Sequence, residues 1–299
     1  MILGYVLAAT ALDALSFALV VVGVAFAFRT VRFPDLTGDG TYVLGAFVSG
    51  ALVLKGHPWV GLLLGTLAGA AAGAVTSLVS SKLRIHGLLA SIVVVLGLYS
   101  VNLRILGRPN APIDPIDGVF TGIFAAGMAP AARDLVLCAV VGGCLVLAIG
   151  VTVAALRSRL GIALRASWSN PDAAGDYGVE PVATQAVGLG LANGLIGLAG
   201  ALMAQRIGFV DVRMGLGIVI AALAAILVGE AAFGRRRTTG RTLIAATIGA
   251  IFYKIAVFAA LKTPWVGATD VNLVTVAIVL LALLFGRRPR GAFQSLKEL

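Results

Sequence analysis

"SNPDAAGDYGV" (residues 169–179) is a polar stretch that lies between two long apolar segments. Its residues are those of a short helix with well-defined ends. Asn170 suits the capping position, Pro171 the first helical position, Asp172 the positive end of the helix dipole, and Gly178 the left-handed residue that ends a helix. The stretch therefore predicts a rigid helical peg, about 10 Å long, between two hydrophobic segments.

The composition of the chain indicates a membrane protein. Of its 299 residues, 60% are hydrophobic and 12% are charged, whereas a soluble domain carries roughly 25% charged residues. A helix needs about 20 apolar residues to cross a hydrocarbon core. The sequence predicts an all-α polytopic fold, a single transmembrane domain over residues 1–299, with nine spans: Leu3–Phe28, Thr41–Leu54, Val60–Ser80, Leu88–Ile105, Leu135–Leu156, Val182–Ile207, Leu216–Phe233, Thr242–Leu261 and Val271–Phe285.

The net charge of +10 is explained by the membrane rather than by nucleic acid. Fifteen of the 23 Lys and Arg residues fall in the loops of one side, and such an excess marks the cytoplasmic face. The amino terminus is then outside the cell and the carboxyl terminus inside. The segment 157–181, which contains the peg, is predicted to be cytoplasmic and able to meet a soluble partner.

A weak internal repeat suggests a transporter. "RFPDLTGDGTYVLGA" (32–46) and "GFVDVRMGLGIVIAA" (208–222) share Phe-x-Asp, a later Gly-x-Gly and an apolar continuation. In the predicted orientation the two copies start on opposite sides of the membrane, as in transporters built from inverted repeats with interrupted helices. We therefore expect repeat halves of about 3–106 and 182–286, with two broken-helix segments.

The residues that begin these two segments are candidates for a translocation path. Asp35 and Asp211 each precede an apolar helix, where they either cap it or help to form a membrane-embedded helix start that faces the solute. The neighbouring small residues either pack helices together or let a solute approach the backbone. The remaining candidates around these starts are Thr37, Gly40, Met214, Gly215 and Gly217.

Motifs for catalysis are absent from the sequence. It has no phosphate-binding loop, no zinc-protease or esterase signature and no His/Cys cluster with metal spacing. The chain is therefore expected to be no enzyme and to hold no cofactor. Ion coupling through Asp13 or Glu230 remains an alternative, with Lys254 as a third ionisable group within a span, and each of the three can instead be paired structurally. A membrane scaffold that transports nothing is a further alternative.

The peg itself has two interpretations. It is either a loop helix that lies on the membrane surface, or a docking element whose small residues Ala173, Ala174 and Gly175 fit a partner's groove. On the opposite side of the membrane, Arg206 and Arg213 are expected to pair with acids of an external partner.

Three stretches together resemble a known family. "LGIALRASWSNPDAAGDYGV", "FPDLTGDGTYVLGA" and "GFVDVRMGLGIVIAALAAILVGE" are similar to segments of bacterial ABC importer permeases of the branched-chain amino acid and ribose class. The stretch beginning "FPDLT" is especially similar to a subgroup associated with uptake of tryptophan, tyrosine and other small solutes. The resemblance runs from about residue 5 to residue 290. "WS" before Asn170 and the very basic "GRRRTTGRT" depart from the family's usual pattern.

The resemblance implies the membrane subunit of an ATP-driven importer for a small polar solute. Such a permease forms a dimer with a second copy or a close paralogue in the bacterial inner membrane. It takes solute from a periplasmic or lipoprotein solute-binding protein and is driven by cytoplasmic ABC ATPase subunits, which hold ATP and magnesium. Residue by residue, the resemblance assigns coupling to the ATPase to Arg165, Asn170, Pro171, Asp172, Ala173, Ala174 and Gly178. It assigns the broken-helix segments to Pro34, Asp35, Thr37, Gly40, Asp211, Gly215, Gly217 and Glu230.

Overall fold

The computed structural model describes residues 2–31, 35–113, 118–119, 130–233, 239–263, 267 and 270–285. Helices make up most of these residues: α1 (Ile2–Val31), α2 (Thr37–Val53), α3 (Pro58–Leu83), α4 (Gly87–Leu106), α5 (Pro130–Arg157), α6 (Arg159–Ser169), α7 (Pro171–Asp176), α8 (Pro181–Ile207), α9 (Ile218–Phe233), α10 (Thr239–Leu261) and α11 (Val271–Phe285). Two short strands, β1 (Asn110–Pro112) and β2 (Phe209–Asp211), complete the described fold.

Each predicted span coincides with one of these helices. Six of them, α1, α3, α4, α5, α8 and α10, are long and apolar enough to cross a membrane, so the chain is a multi-pass membrane protein. The helices α2, α9 and α11 have 17, 16 and 15 residues, which is short of the about 20 that a complete crossing needs. The count of nine spans and the inverted repeat therefore stay predictions.

Helix α8 lies at the centre of the bundle, packed against α1, α2, α3 and α6. Close approach of the backbones explains its many glycines. A Cβ on Gly200 would lie 1.9 Å from the carbonyl oxygen of Tyr42, and one on Gly73 would lie 2.3 Å from that of Leu189. Contacts of this kind let van der Waals packing hold helices together where lipid removes the hydrophobic drive. Gly65, Gly69 and Gly73 of α3 make similarly close contacts with neighbouring helices.

The expected all-α fold is confirmed, and one short two-stranded ribbon accompanies the helices. The strands β1 and β2 form an antiparallel ribbon in which Asn110 pairs with Asp211 and Pro112 with Phe209. Between them, Ala111 and Val210 are fully buried and pack with Phe47 of α2. Strands of three residues are too short to show the alternating pattern by which a sequence reveals a half-buried strand.

Candidate translocation site and coupling segment

The helices α2 and α9 both begin beside the middle of α8. Thr41, in the first turns of α2, bonds Asn193, which lies midway along α8. At the start of α9, Val219 packs against Gly38 of α2, as does Ile196 of α8. Since α8 is long enough to cross the membrane, two helix N-termini meet inside the bundle at membrane depth. We call this meeting point the helix-start junction.

Asp35 anchors the start of α2 through a buried polar network. Its Oδ1 accepts the backbone N–H of Thr37 at 3.0 Å, and its Oδ2 accepts the side-chain amide of Asn193 at 2.6 Å. The Asn193 carbonyl in turn accepts the hydroxyl of Thr41 at 2.9 Å, while the hydroxyls of Thr37 and Thr76 lie 2.8 Å apart. All five side chains are buried. The network ties α2 to α3 and α8 and satisfies polar groups that would be costly to bury unpaired.

Asp39 caps the other helix of the junction. Its Oδ2 accepts the N–H of Gly217 at 3.0 Å, and its Oδ1 accepts the N–H of Val219 at 2.9 Å. These N–H groups belong to the start of α9, where helices leave donors without partners inside the helix. A Cβ on Gly215 would lie 2.1 Å from the Asp39 carbonyl oxygen, so only glycine permits this approach. Gly217 has a φ of +73°, which also favours glycine.

The peg is present as α7 and has the predicted caps at both ends. Asn170 accepts the N–H of Ala173 through its side-chain oxygen at 3.0 Å, and Pro171 is the first helical residue. At the other end Gly178 has a φ of +76° and donates its N–H to Gly175, while Val179 donates to Ala174. This paired pattern is the Schellman motif. The local prediction from residues 170–178 is thus confirmed.

The face that α7 presents differs from the prediction. Ala174 is buried, Ala173 is half-buried and Gly175 is exposed, so the three do not form one smooth exposed face. The cause is α6, a separate helix before the peg, which was not expected. A groove of about 500 Å³ runs between α6 and α7. At its edge Tyr177 is 88% exposed and Ile162 is 61% exposed, so aromatic and aliphatic side chains, rather than a smooth small-residue face, point to solvent.

Comparison with known proteins assigns the chain to a family. Residues 6–285 match the family described as "Branched-chain amino acid transport system / permease component". The chain belongs to this permease family. The match covers both helix starts and the peg, and it bears out the resemblance found in the sequence. No solved structure matches the permease.

Two curated relatives cover most of the permease. A tyrosine transport system permease protein of Clostridioides difficile (strain R20291) is 31% identical over 273 residues, which span 91% of this chain and 88% of the relative. An uncharacterized protein of Rickettsia prowazekii (strain Madrid E) is 31% identical over 256 residues, 85% of this chain and 87% of its own. The permease therefore belongs to a family of transport-system permease components.

The helix-start junction gathers some of the predicted path residues and not others. Asp35, Thr37, Gly215 and Gly217 lie at the two helix starts. Half-buried Met214 packs on the neighbouring core. Gly40 instead faces α4, where a Cβ would lie 2.9 Å from the Leu98 side chain.

Of the remaining predicted residues, two lie away from the helix-start junction and one lies outside the described residues. Asp211 ends β2 and accepts the N–H of Arg213 at 2.7 Å. It therefore closes its own turn and does not have the expected role of capping α9. Glu230 is half-buried and lies 12 positions beyond the first residue of α9, near that helix's far end. Pro34 lies outside the described residues.

Two residues of the junction were missed in the sequence. Asn193 stands in an otherwise apolar stretch of α8, and a lone amide there was a usable signal because polar groups in a span need partners. The signal of Asp39 is hidden by its neighbour Asp35, since both stand just before an apolar stretch and either could mark the helix start. No group of three or more His, Cys, Asp or Glu that could hold a metal ion occurs in the described part of the permease.

Proposed function

We propose that the permease is the membrane subunit of an ATP-driven importer for a small polar solute, an amino acid or a similar compound. Its family and its similarity to a tyrosine transport permease along 91% of the chain support this. The positive-inside distribution supports a bacterial inner-membrane location with the amino terminus outside and the carboxyl terminus inside. The α6–α7 segment then faces the cytoplasm, where an ATPase can reach it.

The observation that carries the proposal is the rigid connection of α7 to the bundle. The peg is capped at both ends, and its exposed residues stand beside α6, which is firmly attached to the body of the protein. Arg165 of α6 donates to the carbonyl of Leu156 at the end of α5, at 3.0 Å. A short helix that keeps its conformation and stays attached to the bundle can transmit force from a soluble partner.

A mechanical route leads from the peg to the helix-start junction. Gln185, in the first turns of α8, donates to the Ser167 carbonyl of α6 at 3.0 Å. Leu164 of α6 is fully buried and packs so closely on Gly188 that a Cβ there would lie 2.4 Å from it. Helix α8, which contains Gln185 and Gly188, also contains Asn193, and Asn193 donates a hydrogen bond to Asp35. Motion of α6 and α7 would therefore shift α8 and, with it, the contact that fixes the start of α2.

The partners follow from this role. Two cytoplasmic ABC ATPase subunits would bind ATP and magnesium and hold the α6–α7 surface, including the coupling residues Arg165, Asn170, Pro171 and Asp172. A second permease copy or a close paralogue would complete the path, and a solute-binding protein would deliver the solute from outside. Arg213 is exposed and free to meet that protein. The same role expected for Arg206 is wrong, because Arg206 forms an ion pair with Asp13 inside the chain.

Uptake into proteoliposomes tests the proposal. The permease is reconstituted with the ATPase and the binding protein of its own operon, and the vesicles receive a mixture of the common amino acids. We expect accumulation of at least one of them with ATP inside and none with a proton gradient alone. Accumulation driven by the gradient without ATP would favour the ion-coupled alternative, and no accumulation under either condition would favour a scaffold.

A further inference from the structure

Three charged side chains from three helices meet away from the helix-start junction. Asp13 of α1 forms an ion pair with Arg206, in the last turn of α8. Lys254 of α10 lies over the ring of Phe17, which is one helical turn beyond Asp13 on α1. We call these residues the three-charge cluster. Two cations and one anion leave it with a net charge of +1.

Lys254 lacks a carboxylate of its own. Its ammonium lies 5.0 Å from the centroid of the Phe17 ring, a cation–π contact that stabilises but does not neutralise it. No carboxylate in the described part of the chain lies within ion-pair distance of it. Phe17 also packs on Tyr253, with ring centroids 5.4 Å apart. The Lys254 ammonium therefore lies beside two packed aromatic rings, within a candidate membrane span.

Asp13 has one carboxylate oxygen to spare. Arg206 binds Oδ1, and Oδ2 accepts no hydrogen bond from the described residues. The Asp13 side chain is 43% exposed, compared with 15% for Arg206. The cluster therefore offers a cation, Lys254, and a partly open anion, Asp13 Oδ2, about one turn of α1 apart.

The exposure of the Asp13 side chain indicates the kind of environment beside the three-charge cluster. Asp13 belongs to the candidate span Thr10–Phe28, and Lys254 belongs to the candidate span Gly240–Leu261. Ionisable side chains within spans face a bundle interior or a water-filled cavity rather than lipid, because a charge in hydrocarbon costs several kcal/mol. A half-exposed carboxylate at this depth accordingly borders a hydrated space. In the proposed orientation this space lies on the external side, where α8 ends.

We propose that the three-charge cluster binds zwitterionic solutes, with Lys254 taking the α-carboxylate and Asp13 Oδ2 the α-ammonium group. The inference rests on the proposed function as an importer. Bound in this way, a free amino acid brings to the cluster the carboxylate that Lys254 lacks and a donor for the spare oxygen. Arg206 is a positioning residue that holds Asp13 in place.

The amount of amino acid moved for each ATP hydrolysed tests the site. The assay uses the complete importer in proteoliposomes, with the mixture of common amino acids and with ATPase activity measured in parallel. We expect Lys254→Gln to lower this ratio at least about tenfold, the scale of a lost hydrogen bond to a charged group, while stimulation of the ATPase by the binding protein stays within about twofold. Lys254→Arg should keep the ratio.

The matched control is Lys262→Gln. Lys262 follows the same helix and lies 5.3 Å from the Phe258 ring, so it has the same cation–π contact without the Asp13–Arg206 pair. We expect its ratio to be unchanged. An unchanged ratio in Lys254→Gln would overturn the site and leave the importer proposal standing. If the wild type accumulates no amino acid with ATP, the importer proposal fails and the site fails with it.

Chemical restoration of the charge separates recognition from folding. In a background with Cys138 and Cys144 replaced by Ala, Lys254→Cys is treated with a reagent that adds an aminoethyl group, or with one that adds a neutral methylthio group. We expect the aminoethyl adduct to recover the ratio of Lys254→Arg and the methylthio adduct to recover nothing. Equal recovery with both reagents, or failure of both to react at position 254, would overturn the proposal.

Discussion

The Asp39 carboxylate accepts the backbone N–H of Val219 at 2.9 Å and so joins the first turns of α2 and α9 across 180 positions of the chain. The same carboxylate holds Gly217, while Asp35, four positions earlier in the sequence, holds the start of α2. One short segment therefore provides the anion for both helix N-termini at the junction. Such anions stabilise helix starts through the unpaired N–H groups and the helix dipole.

Replacing Asp39 should weaken the junction. In Asp39→Asn the amide keeps one acceptor and turns its donor toward an N–H group, so one cap is lost. We expect a fall of about 1 kcal/mol in the free energy of unfolding, the scale of a cap, measured by thermal or denaturant unfolding in detergent. We expect the rate of ATP-driven uptake to fall even under conditions in which nearly all of the variant is still folded.

The control for Asp39 is Asp211→Asn. Among the described residues, the Asp211 carboxylate accepts only the N–H of Arg213, in its own turn, so this variant should change uptake little. Equal losses of uptake in the two variants would contradict a special role for Asp39.

Replacement of Asn193 by aspartate should be tolerated only when Asp35 is replaced by asparagine at the same time. Asn193→Asp places a second carboxylate against Asp35 Oδ2, where the amide now donates at 2.6 Å. Two buried like charges are unfavourable, so we expect loss of folded protein, measured as the monodisperse fraction after detergent extraction. The exchange of both residues, Asp35→Asn with Asn193→Asp, restores one amide and one carboxylate and should recover part of it. No recovery in the double variant would mean that this hydrogen bond does not govern the stability of the junction.

Gly178 should be sensitive because of its backbone conformation alone. It has a φ of +76°, and nothing lies within 4 Å of a Cβ added there, so Gly178→Ala tests strain without a clash. We expect a cost of about 1 kcal/mol at the end of α7 and weaker binding of the ATPase, measured by co-purification at increasing salt. Gly175→Ala, in equally open space within the same helix, should bind as well as wild type or better.

The orientation of the chain also makes a direct prediction. If the carboxyl ends of α3 and α5 face the cytoplasm, a cysteine placed at exposed Leu83 should react with a membrane-impermeant reagent only after the membrane is opened. A cysteine at exposed Trp59, near the other end of α3, should react in intact spheroplasts. The reverse pattern would contradict the predicted topology and place the peg outside.

The sequence predicted those features that depend on neighbouring residues. The ends of α7 follow from Asn170, Pro171 and Gly178 because caps act within a few positions, and the apolar stretches predicted where helices lie because span length is set by the bilayer. Asp35 at the start of α2 was found for the same reason.

What the sequence did not reveal depends on packing between distant segments. The partners of Asp39 and Asn193 lie about 150 to 180 positions away, and no local pattern chooses among several buried donors. The burial of Ala174 depends on where α6 lies. The pairing of Arg206 with Asp13 joins the last turn of α8 to the interior of α1, which only the packed bundle brings together.

Coupling through α7 is tested most directly by the double variant Asn170→Gly with Pro171→Gly, assayed for ATP-driven accumulation in the reconstituted importer. Both changes leave α8 and the helix-start junction untouched while they remove the side-chain cap and the fixed first residue of α7. We expect accumulation to be lost although the permease still folds and is extracted normally. Accumulation at the wild-type level, with the ATPase still bound, would contradict coupling through α7.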